Sequence, residues 1–274
     1  MITAFALHLA AIPSPSSGTL ELGPLRLTAY GLMIALGVGS AVEIARRRAA
    51  AVGVDPDVMS KVGLWSALAG LLGARAYHVL TDVDRFKGSW GDVVKIWEGG
   101  LGIPGAILAG TFAGLWVVRR NGIGDGVGLD IAAPAIPVAQ AIGRWGNWFN
   151  QELFGRPTGL PWGLRIDAQH RPERFADAAT FHPTFLYESL WNLGLAGLIV
   201  LLGRRAGGRL RTGALFAVYV GGYGVGRLWV EALRSDPATT IAGLRVNTWM
   251  SIVLIVGAGG WLVLRGQGAP RGTD

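Results

Sequence analysis

The chain has 274 residues, 51% hydrophobic and only 16% charged, with a mean hydropathy of +0.40 and a formal net charge of +7. Soluble domains carry about a quarter charged residues, so this composition excludes an ordinary soluble domain and points to a polytopic membrane protein. There is no cysteine, and the four histidines, His8, His78, His170 and His182, show no metal-binding spacing. Disulfides, thiolate metal sites and a protein thiol nucleophile are thereby excluded, and neither metal nor cofactor is expected.

A spanning helix needs about 20 mostly apolar residues. The apolar start, "MITAFALHLAAIP", has no basic residue before Arg26, so it predicts a short interfacial segment rather than a cleaved signal peptide. Apolar runs then predict seven spans, at roughly 27–45, 59–80, 99–118, 126–143, 183–203, 212–232 and 247–265. Arg46, Arg47 and Arg48 follow the first span, Arg119 and Arg120 the third, and "GRRAGGRLR" the fifth. Seven spans put these runs and the basic C-terminal tail on one face. By the positive-inside rule that face is cytoplasmic and the N-terminus is outside. Basic runs placed this way suit membrane orientation, and no nucleic acid is expected as a partner. No linker divides the chain. The expected architecture is all-α: one integral membrane domain, 1–274, with an extracytoplasmic arm at about 144–182 between spans four and five.

Four polar stretches fall at the outer ends of these spans. Tyr30 starts span one, and "WEGGLGIPG", Trp97 to Gly105, opens span three. "GRWGNWFNQELFG", Gly143 to Gly155, closes span four and carries Arg144, Asn147, Asn150 and Glu152. "YGVGRLWVEALRSD" holds Tyr223, Arg227, Glu231 and Arg234. Tyr223, Arg227 and Glu231 are spaced i, i+4, i+8, so a helix aligns them in one stripe where Arg227 and Glu231 can pair. The bland reading is an ion pair that locks helices, together with a polar helix end satisfying its own carbonyls. Ionisable groups inside spans favour the functional one. An arginine's planar fork suits phosphate, so the residues predict an outer cationic pocket for a phospholipid headgroup. They do not name a reaction.

Taken in order along the chain, these motifs resemble those of the bacterial prolipoprotein diacylglyceryl transferases. "GRWGNWFNQELFG" is similar to that family's signature, with Trp148 where phenylalanine is usual. "YGLMIALG", "IWEGGLGIPGA", "RPTGLPWGL", "HPTFLYE" and "YGVGRLWVEALRSD" resemble its other segments, in the same order and spacing. The resemblance implies a plasma (inner) membrane enzyme that moves the diacylglyceryl group of phosphatidylglycerol to a lipobox cysteine thiol of a preprolipoprotein, releasing glycerol phosphate. This would be the first step of lipoprotein maturation. It implies that Arg144 binds the lipid phosphate and Arg227 clamps it. Asn147 and Glu152 would orient headgroup or arginine, and Glu231 would hold Arg227 or take a proton. Tyr30 and Tyr223 would line the pocket and Gly155 would permit the turn into the arm, with Asn150, Arg234 and His182 as further substrate-binding candidates. Pro104 stands where many members carry a histidine considered as a base for the thiol. His182 is a possible substitute, against a bland reading as a His-Pro helix cap. A lipid transporter or a non-catalytic lipid-binding relative would use the same pocket.

Overall fold

The computed structural model describes residues 11–22 and 25–265. The start of the segment read as interfacial, 1–10, and the basic tail, 266–274, lie outside the described residues.

Helices begin and end where the local chemistry requires it. Strands β1 (Thr19–Leu22) and β2 (Leu25–Thr28) form an antiparallel pair that feeds α1 (Ala29–Ala51). Thr28 caps that helix, its Oγ1 accepting from the Gly31 N–H at 3.0 Å. Helix α2 (Pro56–Thr81) follows Asp55, whose carboxylate accepts from the Asp57 N–H at 2.9 Å, with Pro56 at a position where no helical N–H is needed. Helix α3 (Ile103–Arg120) ends in Arg119 and Arg120, cations suited to a helix C-terminus. Helix α6 (Thr184–Ala206) ends in Arg204 and Arg205 and stops at Gly207, which takes the left-handed conformation (φ 53°). Helices α7 (Ala214–Leu233) and α8 (Val246–Arg265) complete the chain.

The expected fourth span is not one continuous helix. It divides into α4 (Asp125–Ala132) and α5 (Ala135–Phe149) around Pro134. Proline has no N–H to give to the carbonyl four residues earlier. That carbonyl, of Asp130, instead accepts from Arg48 Nη2 at 3.4 Å. Pro137 falls within the first turn of α5, where its missing N–H costs no bond. Helix α5 also runs six residues beyond the expected end of the span. Arg144 and Asn147 are therefore helical, and the arm begins only after Phe149.

Four segments among the described residues are long and apolar enough to cross a bilayer: Ala29–Ala51, Asp125–Phe149, Thr184–Ala206 and Val246–Arg265. Large apolar side chains stand exposed along the helices, among them Leu72, Leu108, Phe112, Leu190 and Val256. Helices satisfy their own backbone, so such faces suit hydrocarbon.

The described backbone falls into two compact units, Ala41–Ala132 and a second formed by the described residues before Ala41 with those after Ala132. In the first, α2 packs closely on α3: a Cβ on Gly105 would lie 2.1 Å from the Gly73 carbonyl oxygen. Only glycine permits that approach. In the second, α5, α6, α7 and α8 pack in sequence. Beyond α5 a small core gathers Phe154, Leu164, Ile166, Phe181 and Phe185. It is built on the two-residue strands β3 (Leu164–Arg165) and β4 (Thr180–Phe181), which pair antiparallel, and Ile12 adds a parallel bridge to Leu164. A last hairpin, β5 (Thr240–Ile241) and β6 (Leu244–Arg245), leads into α8.

Candidate functional site

The stretch from Gly143 to Gly155 is held partly by its own polar side chains and partly by residues beyond it. Arg144 and Asn147 lie on the last turns of α5. Glu152 Oε1 accepts from Asn147 Nδ2 at 2.9 Å and from Asn150 Nδ2 at 3.3 Å, which closes the turn that follows the helix. On either side of Glu152, Gln151 and Leu153 adopt positive φ angles of 50° and 58°. Such backbone costs about 1–3 kcal/mol per residue outside glycine and persists only where the surroundings over-determine it. Here they do. Gln151 is buried; its Nε2 donates to Asp167 Oδ2 at 2.6 Å and to the Pro15 carbonyl at 3.1 Å, and its Oε1 accepts from the Asp167 N–H at 2.9 Å. The Leu153 carbonyl accepts from Thr184 Oγ1 at 2.6 Å. Gly155 then passes between neighbours: a Cβ there would lie 2.7 Å from His182 Cβ and 3.0 Å from the Leu233 carbonyl oxygen. Its role is close approach.

The charged groups form an alternating ladder across three helices and the last hairpin. Arg144 Nη2 on α5 lies 2.5 Å from Glu188 Oε2 on α6. The other oxygen, Glu188 Oε1, is 3.6 Å from Arg227 Nη1 on α7. One turn along α7, Glu231 Oε2 meets Arg227 Nη2 at 2.8 Å. Glu231 Oε1 accepts from Arg245 Nε at 2.5 Å, and Arg245 Nη2 lies 3.1 Å from Asp236 Oδ2. Asp236 Oδ1 closes the series on Arg234 Nε at 2.6 Å. Four guanidiniums alternate with three carboxylates, so the ladder is one negative charge short. Burial works against the charged form of Asp236, but the hydrogen bond and charge of Arg234, with the charge of Arg245, hold its carboxyl below the usual range.

This geometry refines the expected roles. The i, i+4 pair of Arg227 and Glu231 is present. Glu231 has 1% of its side chain exposed, with one oxygen on Arg227 and the other on Arg245. The Arg144 and Arg227 side chains keep 21% and 14% of their surface, more than either carboxylate beside them. Tyr30 lies against α5, its ring 2.5 Å from where a Cβ on Gly146 would be. Among the described residues nothing comes within 4 Å of where a Cβ on Gly143 would be. Tyr223 lines a small cavity with Glu188, Asn192 and Arg227. Asn192 is buried one turn along α6 from Glu188, and its Oδ1 has no partner among the described residues. Arg234 stands at the far end of the ladder, its side chain 5% exposed against Asp236. Segment 97–105, with Pro104 at the second position of α3, belongs to the other compact unit.

His182 does not cap α6. The capping position is Pro183, and no side-chain cap bond is made. The His182 Nδ1 instead lies 3.3 Å from Tyr187 Oη, and Tyr187 Oη accepts from Trp162 Nε1 at 3.0 Å. Burial, and then the charge of Arg156, hold the imidazole below its ordinary pKa.

Three ladder members, Glu188, Asp236 and Arg245, were not singled out by sequence reading; Asp236 is the last residue of "YGVGRLWVEALRSD". Glu188 lies within the "HPTFLYE" segment, and a carboxylate inside an apolar span is itself a signal. Arg245 gives none: it precedes α8 by one residue and reads as a loop cation.

A family model described as prolipoprotein diacylglyceryl transferase matches residues 17–264. A Frankia alni protein named phosphatidylglycerol–prolipoprotein diacylglyceryl transferase is 53% identical over 91% of this chain and 66% of its own length. A Frankia casuarinae protein of the same name is 52% identical over 91% of this chain and 61% of its own length. One from Streptomyces coelicolor, with the same name and the number 2, is 50% identical over 96% of this chain and 84% of its own length. The chain thus spans somewhat under two thirds of the length of the two Frankia relatives.

Proposed function

Because this chain belongs to the prolipoprotein diacylglyceryl transferase family, we propose that it transfers the diacylglyceryl group of phosphatidylglycerol to a lipobox cysteine thiol of a preprolipoprotein. The thiolate sulfur attacks C3 of the diacylglyceryl glycerol and forms a thioether. The bond from C3 to the phosphate oxygen breaks, its electron pair stays on that oxygen, and glycerol phosphate leaves. The thiol proton passes to solvent.

The observation that carries this reading is the shared carboxylate. Arg144 and Arg227, from different helices, flank Glu188 in a ladder that lacks one negative charge. A phosphate can take that place, and guanidiniums held ready around it stabilise charge gathering on the leaving group. Arg144 and Arg227 are the clamp, Glu231 holds Arg227, and Tyr30 and Tyr223 line the site. Asn147, Asn150, Glu152 and Gly155 fix the loop beside Arg144. Arg234 steadies the far end. His182 is a neutral positioning group. A cation near the substrate thiol lowers its pKa from about 8.5, so no dedicated imidazole is required at position 104.

Incubating the purified chain with labelled phosphatidylglycerol and a lipobox peptide tests the reaction. Label should move to the peptide with release of glycerol phosphate. Lipid binding without transfer would sink the enzyme reading in favour of a non-catalytic lipid binder.

The same proposal places the chain in the plasma membrane with seven spans, an outside N-terminus and a cytoplasmic C-terminus. Helices α2, α3 and α7 are the additional spans. The arginine runs at the ends of α1, α3 and α6 support a common cytoplasmic face. A reporter at Pro172 should read outside; a cytoplasmic signal there would overturn the topology.

A further inference from the structure

We infer that Arg245, on the hairpin before α8, is a positioning residue that keeps Arg227 available to the lipid phosphate by dividing the grip of Glu231. The inference rests on the transferase reading of the clamp.

A carboxylate and a guanidinium left to themselves favour a two-pronged pairing in which both oxygens face one fork. Arg227 and Glu231 sit one helical turn apart, well placed for such a lock. It does not form. Glu231 Oε1 accepts from Arg245 Nε at 2.5 Å, while only Oε2 faces Arg227 Nη2, at 2.8 Å. Asn247 Nδ2, one helical residue into α8, lies 3.3 and 3.4 Å from the two oxygens and holds the carboxylate plane. With its oxygens divided between two cations, Glu231 orients Arg227 without closing on it. That leaves Arg227 Nη1 directed at Glu188 across a looser 3.6 Å, the side where a phosphate is to be held.

Arg245 can divide Glu231 in this way because it is itself fixed. Its Nη1 donates to the Asp236 carbonyl at 2.9 Å and its Nη2 to Asp236 Oδ2 at 3.1 Å. Asp236 is anchored in turn by Arg234 Nε at 2.6 Å. The fork therefore bridges two carboxylates at set spacing. Glutamine lacks both the charge and the reach, and lysine keeps a charge but has no planar fork. Without Arg245, Glu231 closes on Arg227, neutralises it and turns it from the phosphate.

The test uses the purified full chain with phosphatidylglycerol and a lipobox peptide, comparing the parent with Arg245→Gln, Arg245→Lys, Glu231→Gln and the double variant Glu231→Gln with Arg245→Gln. In Arg245→Gln the KM for phosphatidylglycerol should rise on the order of tenfold while that for the peptide stays within about twofold, as expected for coupling inside one charge network. Arg245→Lys should follow Arg245→Gln in direction, and it serves as the measurement if the glutamine variant does not fold. Once Glu231 is Gln, adding Arg245→Gln should change the lipid KM little, because the carboxylate it restrains is gone. Parental lipid KM in both Arg245 variants overturns the inference. So does a KM change that multiplies independently of Glu231, or one equally large for lipid and peptide, as a purely structural role would give. An inactive parent would instead be a failure of the transferase reading itself.

Discussion

The buried Arg75 and the part-buried Arg144 and Arg227 are satisfied in opposite ways. Arg75, on α2, donates to four backbone carbonyls: Asp92 at 2.5 Å, Val93 at 2.7 Å, Gly99 at 2.7 Å and Gly100 at 3.1 Å. The Phe86 ring lies 5.4 Å from its guanidinium carbon. Arg144 and Arg227 instead face carboxylates that each serve more than one cation. Carbonyls fixed in a chain cannot turn away without moving the backbone, so Arg75 holds a loop. A side-chain carboxylate can shift without moving the backbone. On the proposed reading, the same residue type is a fastener in one unit and an exchangeable clamp in the other, and its partners make the difference.

Breaking the clamp should have the largest effect on chemistry. Arg227→Ala removes a cation and leaves Glu231 and Glu188 facing a buried void, a loss of about 3–5 kcal/mol where one partner of a buried pair is deleted. Transfer should fall by about two to three orders of magnitude or more. Arg144→Lys keeps the charge and loses the fork, so it should fall nearly as far. Turnover of labelled lipid by either membrane-inserted variant is the measurement. Near-parental rates would remove these residues from the clamp.

Breaking the fastener should act on stability. Arg75→Lys cannot reach four carbonyls at once, and hydrogen bonds to a charged donor contribute about 1.5–3 kcal/mol each. Yield and thermal midpoint in detergent should drop clearly, while the folded fraction keeps its KM for phosphatidylglycerol. A well-folded Arg75→Lys protein with an altered lipid KM would erase the contrast between the two arginine sets.

How much of this could be read in advance follows from the range of each interaction. Helix positions and the Arg227–Glu231 pair are local, set by hydropathy and by i, i+4 spacing, and they are visible in the sequence. The division of span four follows from Pro134, which is equally visible but was outweighed by the apolar run around it. Glu188 and Arg245 join the ladder through contacts 44 and 14 residues along the chain, from Arg144 to Glu188 and from Glu231 to Arg245. No periodicity encodes contacts of that kind. Gln151 and Leu153 likewise gave no sign of left-handed backbone, since neither favours it and the cause is distant bonding from Asp167 and Thr184.

A smaller effect is expected at His182. Burial holds its pKa below 6.5 in the folded protein, so it is neutral in both folded and unfolded chains above that value. The stability linked to it is fully present there and is lost only as pH falls below it. The transfer rate should rise with pH as the substrate thiol ionises, with no His182 inflection. His182→Gln should keep most activity and the same pH–rate profile. An acidic limb that vanishes in the variant would make His182 the base and remove the idea that the clamp suffices.

The smallest effect reaches the clamp through the hairpin that carries Arg245. Its two-residue turn places Ala242 at φ 48° and Gly243 at φ 78°. A two-residue turn with both φ values positive is the type that suits tightly twisted hairpins, and it favours Asn-Gly. Gly243 adopts it freely, whereas Ala242 bears about 1–2 kcal/mol of steric strain in this region. Ala242→Asn relieves part of that and should raise the thermal midpoint by about 2 °C, given that 1 kcal/mol shifts a protein of this size by about 2–4 °C. Ala242→Val adds a β-branched side chain where positive φ is least tolerated, so it should lower the midpoint. If the hairpin positions Arg245, the valine variant should also raise the lipid KM by a few-fold, in the direction of Arg245→Gln but less far. A lowered midpoint with an unchanged lipid KM would separate the hairpin's stability from the clamp, and would place the restraint on Glu231 in Asp236 and Asn247 rather than in the turn.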